Sequence, residues 1–396
     1  MDSISRRGFI KRSSAAAAGC AIPLSHVDKN IQAQELPVIK RYKPFGKTGW
    51  MVSDISAGSG QREPGFVQSL YERGINFIDS ARQYSNHEEV IGQCWGNVPR
   101  EKMFIVSKWM PNQVKADTTK AELMVALDES LKRLNTTYID CFMIHSMGNP
   151  AYGGLERIQN PAIYEAWDEA KKLGKIKFTG ASSHSVNMLN EIGWGIDNDR
   201  FEVVLVGANF LTKGLEPLLQ KARAKGVATM AMKTMTIYKS DLNIRELQNR
   251  NTNARQAVLK WVLASDLFDT VVIGMGNYDV VNEYLSVSGT TSLTEEDNSL
   301  LQTVSAHVSG KYCRPGCSGC VGSCPNNVPV WDVLRYKMYF ENYGREKYAM
   351  GLYKNLPQGC DASKCKTCTA PCERSCTYNI AVRDQLIEAH DQLSTA

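Results

Sequence analysis

The sequence predicts an α/β protein, a (β/α)8 TIM barrel followed by a small, cysteine-rich, α-helical C-terminal domain. Two observations carry this. From about residue 50, eight short β-prone runs alternate with longer stretches of helical spacing. Strands separated by helices imply a parallel sheet, and eight such units imply closure into a barrel. Of twelve cysteines, nine fall after residue 312, eight of them in two tight clusters.

The strand-like runs are 52–58, 75–80, 103–108, 139–145, 177–182, 203–209, 227–233 and 270–276. Between them, Thr118 to Leu134 reads as a helix with Leu123, Val125, Leu127, Leu131 and Leu134 on one side. A further helix is expected after Ser292-Leu293-Thr294, because Thr294 precedes three acids that suit a first turn. The chain thus divides into an N-terminal signal (1–33), the barrel (41–290), a helical linker (291–310) and the cysteine-rich domain (311–396).

Composition is ordinary for a globular chain, and the formal net charge is +5. The first 33 residues hold five basic and two acidic groups, so the remainder is nearly neutral. That leaves no electrostatic footprint for nucleic acid. Cys94 and Cys141 lie in apolar segments, where free cysteine packs as a small hydrophobe.

Three apolar runs end in, or lead into, a titratable residue. The first ends at Asp79, with Tyr84 five residues on; the second leads into Lys108 and the third into His145. A parallel barrel builds its active site from such groups at the C-terminal ends of its strands. In order and local context, these four match the catalytic tetrad of the aldo-keto reductases, which the chain resembles over residues 41–290. Gly74 to Asp79, Glu88-Glu89-Val90-Ile91-Gly92 and Phe45-Gly46-Lys47-Thr48-Gly49 belong to the same likeness.

The resemblance implies a reductase that interconverts a carbonyl and an alcohol, on a sugar or other polyol, with NADP or NAD. Tyr84 would exchange the proton, Lys108 would lower its pKa, Asp79 would orient Lys108, and His145 would hydrogen-bond the substrate oxygen. The same likeness assigns Gly58, Ser182, Ser183, Lys233, Gly274 and Asn277 to the dinucleotide. Elsewhere the pattern departs. Leu205 stands in place of a carboxamide-binding glutamine, and Thr234-Met235-Thr236 replaces a glycine-containing phosphate loop. Gly274 to Asn277 offers no Lys or Arg for a 2′-phosphate.

The tail reads Cys313-x3-Cys317-x2-Cys320-x3-Cys324 and Cys365-x2-Cys368-x3-Cys372-x3-Cys376, with an aromatic, helical stretch from Val330 to Leu356 between. Such spacing suits metal or cluster ligation; four-cysteine zinc sites and disulfides are the alternatives. The pattern resembles the eight-cysteine bacterial ferredoxin motif, with one residue added at two steps and Thr377 in place of a proline. That resemblance implies two 4Fe–4S clusters with crossed ligation. Cys313, Cys317, Cys320 and Cys376 would hold one, and Cys365, Cys368, Cys372 and Cys324 the other. Cys360 is left over.

Ser5-Arg6-Arg7-Gly8-Phe9-Ile10-Lys11, followed by a short alanine-rich run, resembles a twin-arginine export signal. It implies a periplasmic protein carried folded by that machinery, with an external redox partner for the clusters. Cys20 is read as a small signal-peptide residue, with lipid attachment to the membrane as the alternative. The rival to the reductase reading is an exported iron–sulfur electron-transfer or binding protein whose barrel has lost dinucleotide binding.

Overall fold

The computed structural model describes residues 35–61, 63–147, 149, 152–239 and 253–394. The twin-arginine motif at 5–11, Cys20 and the signal boundary at 33 lie outside them. The first compact unit, Met1–Leu36, falls almost wholly outside the described residues; Pro37–Ala396, the second, holds everything below.

Among the described residues, eight parallel strands close a barrel in the order β10-β3-β4-β5-β6-β7-β8-β9. They are β3 (Ile55–Ala57), β4 (Phe77–Asp79), β5 (Phe104–Trp109), β6 (Ile139–Ile144), β7 (Ile176–Ser183), β8 (Val203–Gly207), β9 (Ala228–Met232) and β10 (Thr270–Ile273). Each of the eight expected runs overlaps one of them, with β5 and β7 extending one residue beyond their runs.

The first run differs. Instead of a single strand over 52–58, the chain breaks at Asp54 between β2 (Met51–Ser53) and β3. Strand β2 pairs antiparallel with β1 (Tyr42–Pro44), below the barrel. Asp54 turns aside to accept hydrogen bonds from Ser288 Oγ at 2.8 Å and the Gly289 amide at 2.7 Å. The hairpin brings Phe45 under the barrel floor, edge-on to Phe77 at 5.4 Å and Phe104 at 5.3 Å.

Strand alternation then decides which side chains face inward. Phe77, Phe104, Val106, Cys141, Met143, Val203, Leu205, Ala228, Met230 and Val272 fill the barrel interior. Their neighbours Ile78, Ile105, Phe142, Ile144, Val204 and Val206 pack outward against the surrounding helices. Carrying the inward parity one step further up each strand reaches Asp79, Lys108 and His145.

Helix Lys120–Arg133 starts on Thr119, whose hydroxyl accepts from the Glu122 amide while Glu122 Oε2 accepts from the Thr119 amide. Leu123, Leu127 and Leu131 are buried as expected, but Val125 is 60% exposed. Two residues advance a helix by about 200°, so Val125 and Leu123 cannot share a face.

Thr294 caps helix Glu295–Val308, which lies along helix Ala254–Ala264 and pairs Asp297 with Lys260 at 2.9 Å. The stretch expected to be one helix from 330 to 356 is two, Val330–Tyr343 and Glu346–Lys354, separated at Gly344 with φ +59°. With helix Val382–Leu393 they enclose a second apolar core in which Cys365 and Cys372 are buried.

Candidate active site

The strand ends bring the four predicted tetrad residues together. Lys108 Nζ donates to Asp79 Oδ1 at 2.5 Å and to the Ser80 carbonyl at 2.6 Å, with both side chains shut from solvent. Tyr84 sits in the turn after β4, its ring centroid 5.3 Å from Lys108 Nζ. His145, just beyond β6, meets that ring edge-on at 5.8 Å. Tyr84 is half-buried, so the cluster is not sealed.

The electrostatics depart from the expectation that Lys108 lowers the Tyr84 pKa. Burial, then Asp79, pushes Tyr84 well above the ordinary phenol value. Lys108 spends its donors on Asp79 and Ser80, so Tyr84 is held as a phenol, a proton donor. Burial likewise pushes His145 well below the usual imidazole value, with Lys108, Lys233 and Arg157 adding to it. His145 is therefore neutral, and its Nδ1 has no hydrogen-bond partner among the described residues.

Residues that the sequence did not single out hold this arrangement. Ser80 Oγ meets His87 Nδ1 at 2.9 Å, and His87 Nε2 meets Gln61 Oε1 at 2.7 Å. Arg157, fully buried, donates to the carbonyls of His145 at 3.0 Å and Val114 at 2.6 Å. An arginine in a one-turn helix, Leu155–Ile158, gives no sequence signal of such a role.

The six residues assigned to a dinucleotide take different parts. Ser182 Oγ, at the end of β7, is buried with no partner among the described residues. Ser183 Oγ donates to the Met147 carbonyl. The Gly58 amide donates to the Ile273 carbonyl at 2.7 Å, and a Cβ on Gly274 would lie 2.9 Å from the Ser59 carbonyl oxygen. Both glycines thus serve the close approach of β3 and β10. Asn277 caps helix Tyr278–Leu285, accepting from the Val280 amide at 2.9 Å. Lys233 has a left-handed backbone, φ +62°, and its Nζ lies 5.7 Å from the ring centroid of Tyr339 in the C-terminal segment.

That segment covers the barrel mouth. Pro315 lies against Gly207 at the end of β8, where an added Cβ would meet it at 3.1 Å. Trp331 faces His184 at 6.5 Å between ring centroids. The Tyr312 hydroxyl meets Thr236 Oγ1 at 2.9 Å and accepts from Asn209 Nδ2 at 3.3 Å. Gln83, beside Tyr84, donates to Tyr348 Oη at 3.2 Å. On helix Val330–Tyr343, Trp331, Arg335 and Tyr339 recur every four residues and so share one face. That spacing was readable; what the face meets was not.

The tail cysteines gather in two groups, with Cys320 of one also within electrostatic reach of Cys372 of the other. Cys313 lies within electrostatic reach of Cys320, Cys317 and Cys376, and Cys365 within reach of Cys324, Cys372 and Cys368. Among the described residues none forms a disulfide, and no three His, Cys, Asp or Glu side chains gather tightly enough to hold a single metal ion. Cys360 lies in neither group.

Residues 61–306 match the model of the aldo/keto reductase family. The chain belongs to that family. The methylglyoxal reductase DkgB of Salmonella typhimurium is 28% identical over 212 residues, which span 50% of this chain and 72% of that protein. Glycerol 2-dehydrogenase (NADP(+)) of Saccharomyces cerevisiae is 31% identical over 172 residues, 37% of this chain and 53% of that one. In fold, the chain is similar to the holo form of an aldo-keto reductase from Bacillus halodurans. The TM-score is 0.54 at 22% identity, covering 67% of this chain and 96% of that one. Barrel and family together make the chain an oxidoreductase of aldo-keto reductase type.

His87 yields a test of the buried frame. Its pKa is lowered to about 4, by burial first and then by Lys108. An unfolded chain takes up that proton near pH 6.5, so stability should fall as pH drops from about 6.5 toward 4, by up to about 3 kcal/mol. His145 and His184, also held neutral, add in the same direction. His87→Gln should make the loss of urea-measured stability on acidification shallower without abolishing it. An unchanged slope would mean that His87 does not fold as a neutral, buried group.

Proposed function

We propose that the barrel interconverts a carbonyl and an alcohol on a small polar molecule, a sugar or polyol, and that the C-terminal segment carries two 4Fe–4S clusters. The observation that carries the first half is the Lys108–Asp79 pair lying beneath Tyr84 and His145 at one barrel mouth. Tyr84, kept protonated, gives its proton to the carbonyl oxygen as that oxygen gains charge. Neutral His145 orients the same oxygen through an N–H. Lys108, neutralised by Asp79, holds the turn that carries Tyr84 through its bond to the Ser80 carbonyl. Relatives named for methylglyoxal and glycerol support a small, oxygen-rich substrate.

The two groups of thiols support crossed ligation, since Cys376 falls with Cys313 and Cys324 with Cys365. A tetrahedral zinc would draw its four sulfurs to about 4 Å of one another. A four-iron cluster, ligated at its corners, accepts wider spacing. Bound there, such clusters exchange one electron each, so two together match the two electrons of carbonyl reduction.

A nicotinamide dinucleotide fits less well while the C-terminal segment is seated. Ser182 Oγ is open to it, but Lys233 lies against the Tyr339 ring and the Asn277 side chain caps its helix. Trp331 and Pro315 lie on the ends of β7 and β8, and Gly274 to Asn277 brings no cation for a 2′-phosphate. The proton chemistry of Tyr84 stands whichever donor supplies hydride or electrons. The observation favours, as a second reading, an electron-transfer protein whose barrel has lost the dinucleotide.

Tyr84→Phe should cut turnover by about 10²–10⁴-fold on any carbonyl the native protein reduces, with folding unchanged. Native rates in that variant would refute the assignment. Cys320→Ser should lower bound iron by one cluster's worth and expose the segment after residue 310 to protease, because so small a core depends on its metal. Unchanged iron content would refute the ligation.

We also propose periplasmic export on the motif at 5–11, with a redox partner there. Arg6→Lys together with Arg7→Lys should leave the protein in the cytoplasmic fraction. Continued export of that double variant would remove the twin-arginine reading.

A further inference from the structure

A cavity of about 610 Å³, to which no tetrad residue contributes, lies between helices Glu295–Val308, Val330–Tyr343 and Val382–Leu393. Its volume suits a small organic molecule, for which pockets run to roughly 300–1,000 Å³. Val308, Leu334 and Met338 supply apolar wall, and Cys313, Trp331 and Arg335 line it as well. Arg335 and Trp331 are only 3% and 4% exposed. Yet Arg335 Nε and Nη2, and Trp331 Nε1, have no hydrogen-bond partner among the described residues.

The free atoms of Arg335 are chemically specific. Its Nη1 donates to the Met338 thioether, a weak acceptor, at 3.3 Å, and the guanidinium lies 4.5 Å from the Trp331 ring centroid. Nε and Nη2 share the other edge of the planar group, the edge that grips a carboxylate or phosphate through two parallel bonds. A cation shut from water with that edge unused is costly unless an anion meets it. The nearby carboxylates do not. Glu341 and Glu388 are exposed at the rim, where both pair with Lys337, at 3.3 and 2.8 Å. Asp332, on the same helix, is buried but leaves Nε and Nη2 unbonded.

We propose that this cavity binds a small organic anion, with a carboxylate or phosphate head on the Nε–Nη2 edge of Arg335 and its body against Val308, Leu334 and Met338. The Trp331 indole N–H, a donor without an acceptor, supplies a further bond to the head or to an oxygen beside it. A bare inorganic ion would leave most of the volume unfilled, which is why the ligand carries an organic body. The site would join the two halves of the chain, since Trp331 also faces His184 at the end of the barrel. Neither the cavity nor its donors depends on the reductase or the cluster reading.

Full-length protein with its metal content intact is titrated calorimetrically with sodium benzoate, with phenyl phosphate and with benzamide, an uncharged counterpart. At least one of the two anions should bind once per chain and raise the melting temperature, and benzamide should do neither. The tighter anion identifies the head group. Arg335→Met should weaken that binding by about 10–100-fold, the range for hydrogen bonds to a charged group. Arg335→Lys keeps the charge but not the fork, and should recover only part of the loss. Trp331→Phe should cost less than Arg335→Met. Without ligand, Arg335→Met should be at least as stable as the native protein, because an apolar chain replaces an unpaired buried charge. A marked loss of stability there would show the guanidinium already paired within the chain, and would overturn the proposal. Benzamide binding as tightly as the anions, undiminished binding to Arg335→Met, or no binding of either anion at millimolar concentration would overturn it too.

Discussion

Most of this site answers to one constraint, a lysine ammonium sealed inside a barrel. A charge removed from water costs several kcal/mol unless it is paired and hydrogen-bonded. Lys108 meets that demand with Asp79 and the Ser80 carbonyl, which fixes the end of β4 and the turn that starts there. The same turn presents Tyr84, and the Ser80 hydroxyl anchors His87 and through it Gln61. The ammonium also acts at a distance, helping to keep His87 and His145 neutral. One buried cation thus sets the geometry of the site and the protonation of its imidazoles.

Barrel and tetrad were legible because both follow from a short-range code. Alternation along β4, β5 and β6 points Phe77, Phe104, Val106, Cys141 and Met143 inward, and the next inward positions are Asp79, Lys108 and His145. Eight apolar runs could be counted without knowing how they pair. The local errors have local causes: Val125 was placed on the wrong side of its helix, and Asp54 divides a run that looked continuous. The pKa of Tyr84 was misjudged because proximity to Lys108 was assumed to act on the phenol. Whether an ammonium spends its donors on a carboxylate or on a phenol depends on angles that no spacing encodes.

What the sequence concealed was the meeting of its two halves. Leu205 and Thr234-Met235-Thr236 looked like lost cofactor residues. Leu205 packs in the barrel interior, while Thr236 binds the hydroxyl of Tyr312 and Thr234 Oγ1 donates to the Ala208 carbonyl at 2.9 Å. Substitutions that read as decay in a free barrel read as fit once the C-terminal segment is in place. Tyr339 and Lys233 lie more than a hundred residues apart, on opposite sides of the domain boundary, so their pairing had no sequence signature at all.

The order in which the halves join bears on the proposed path of electrons. The segment that carries Cys313 and Cys317 is the one tied to the barrel, through Tyr312 to Thr236 and through Pro315 to Gly207. The group around Cys365 is held instead within the tail, where Tyr353 Oη accepts from the Ala362 amide at 2.8 Å and meets His390 Nδ1 at the same distance. On the two-cluster reading, the Cys313 group is therefore the one nearest the chemistry and the Cys365 group the one nearest an outside partner. Arg335, fully buried with Nε and Nη2 unpartnered among the described residues, lies within electrostatic reach of both Cys313 and Tyr339.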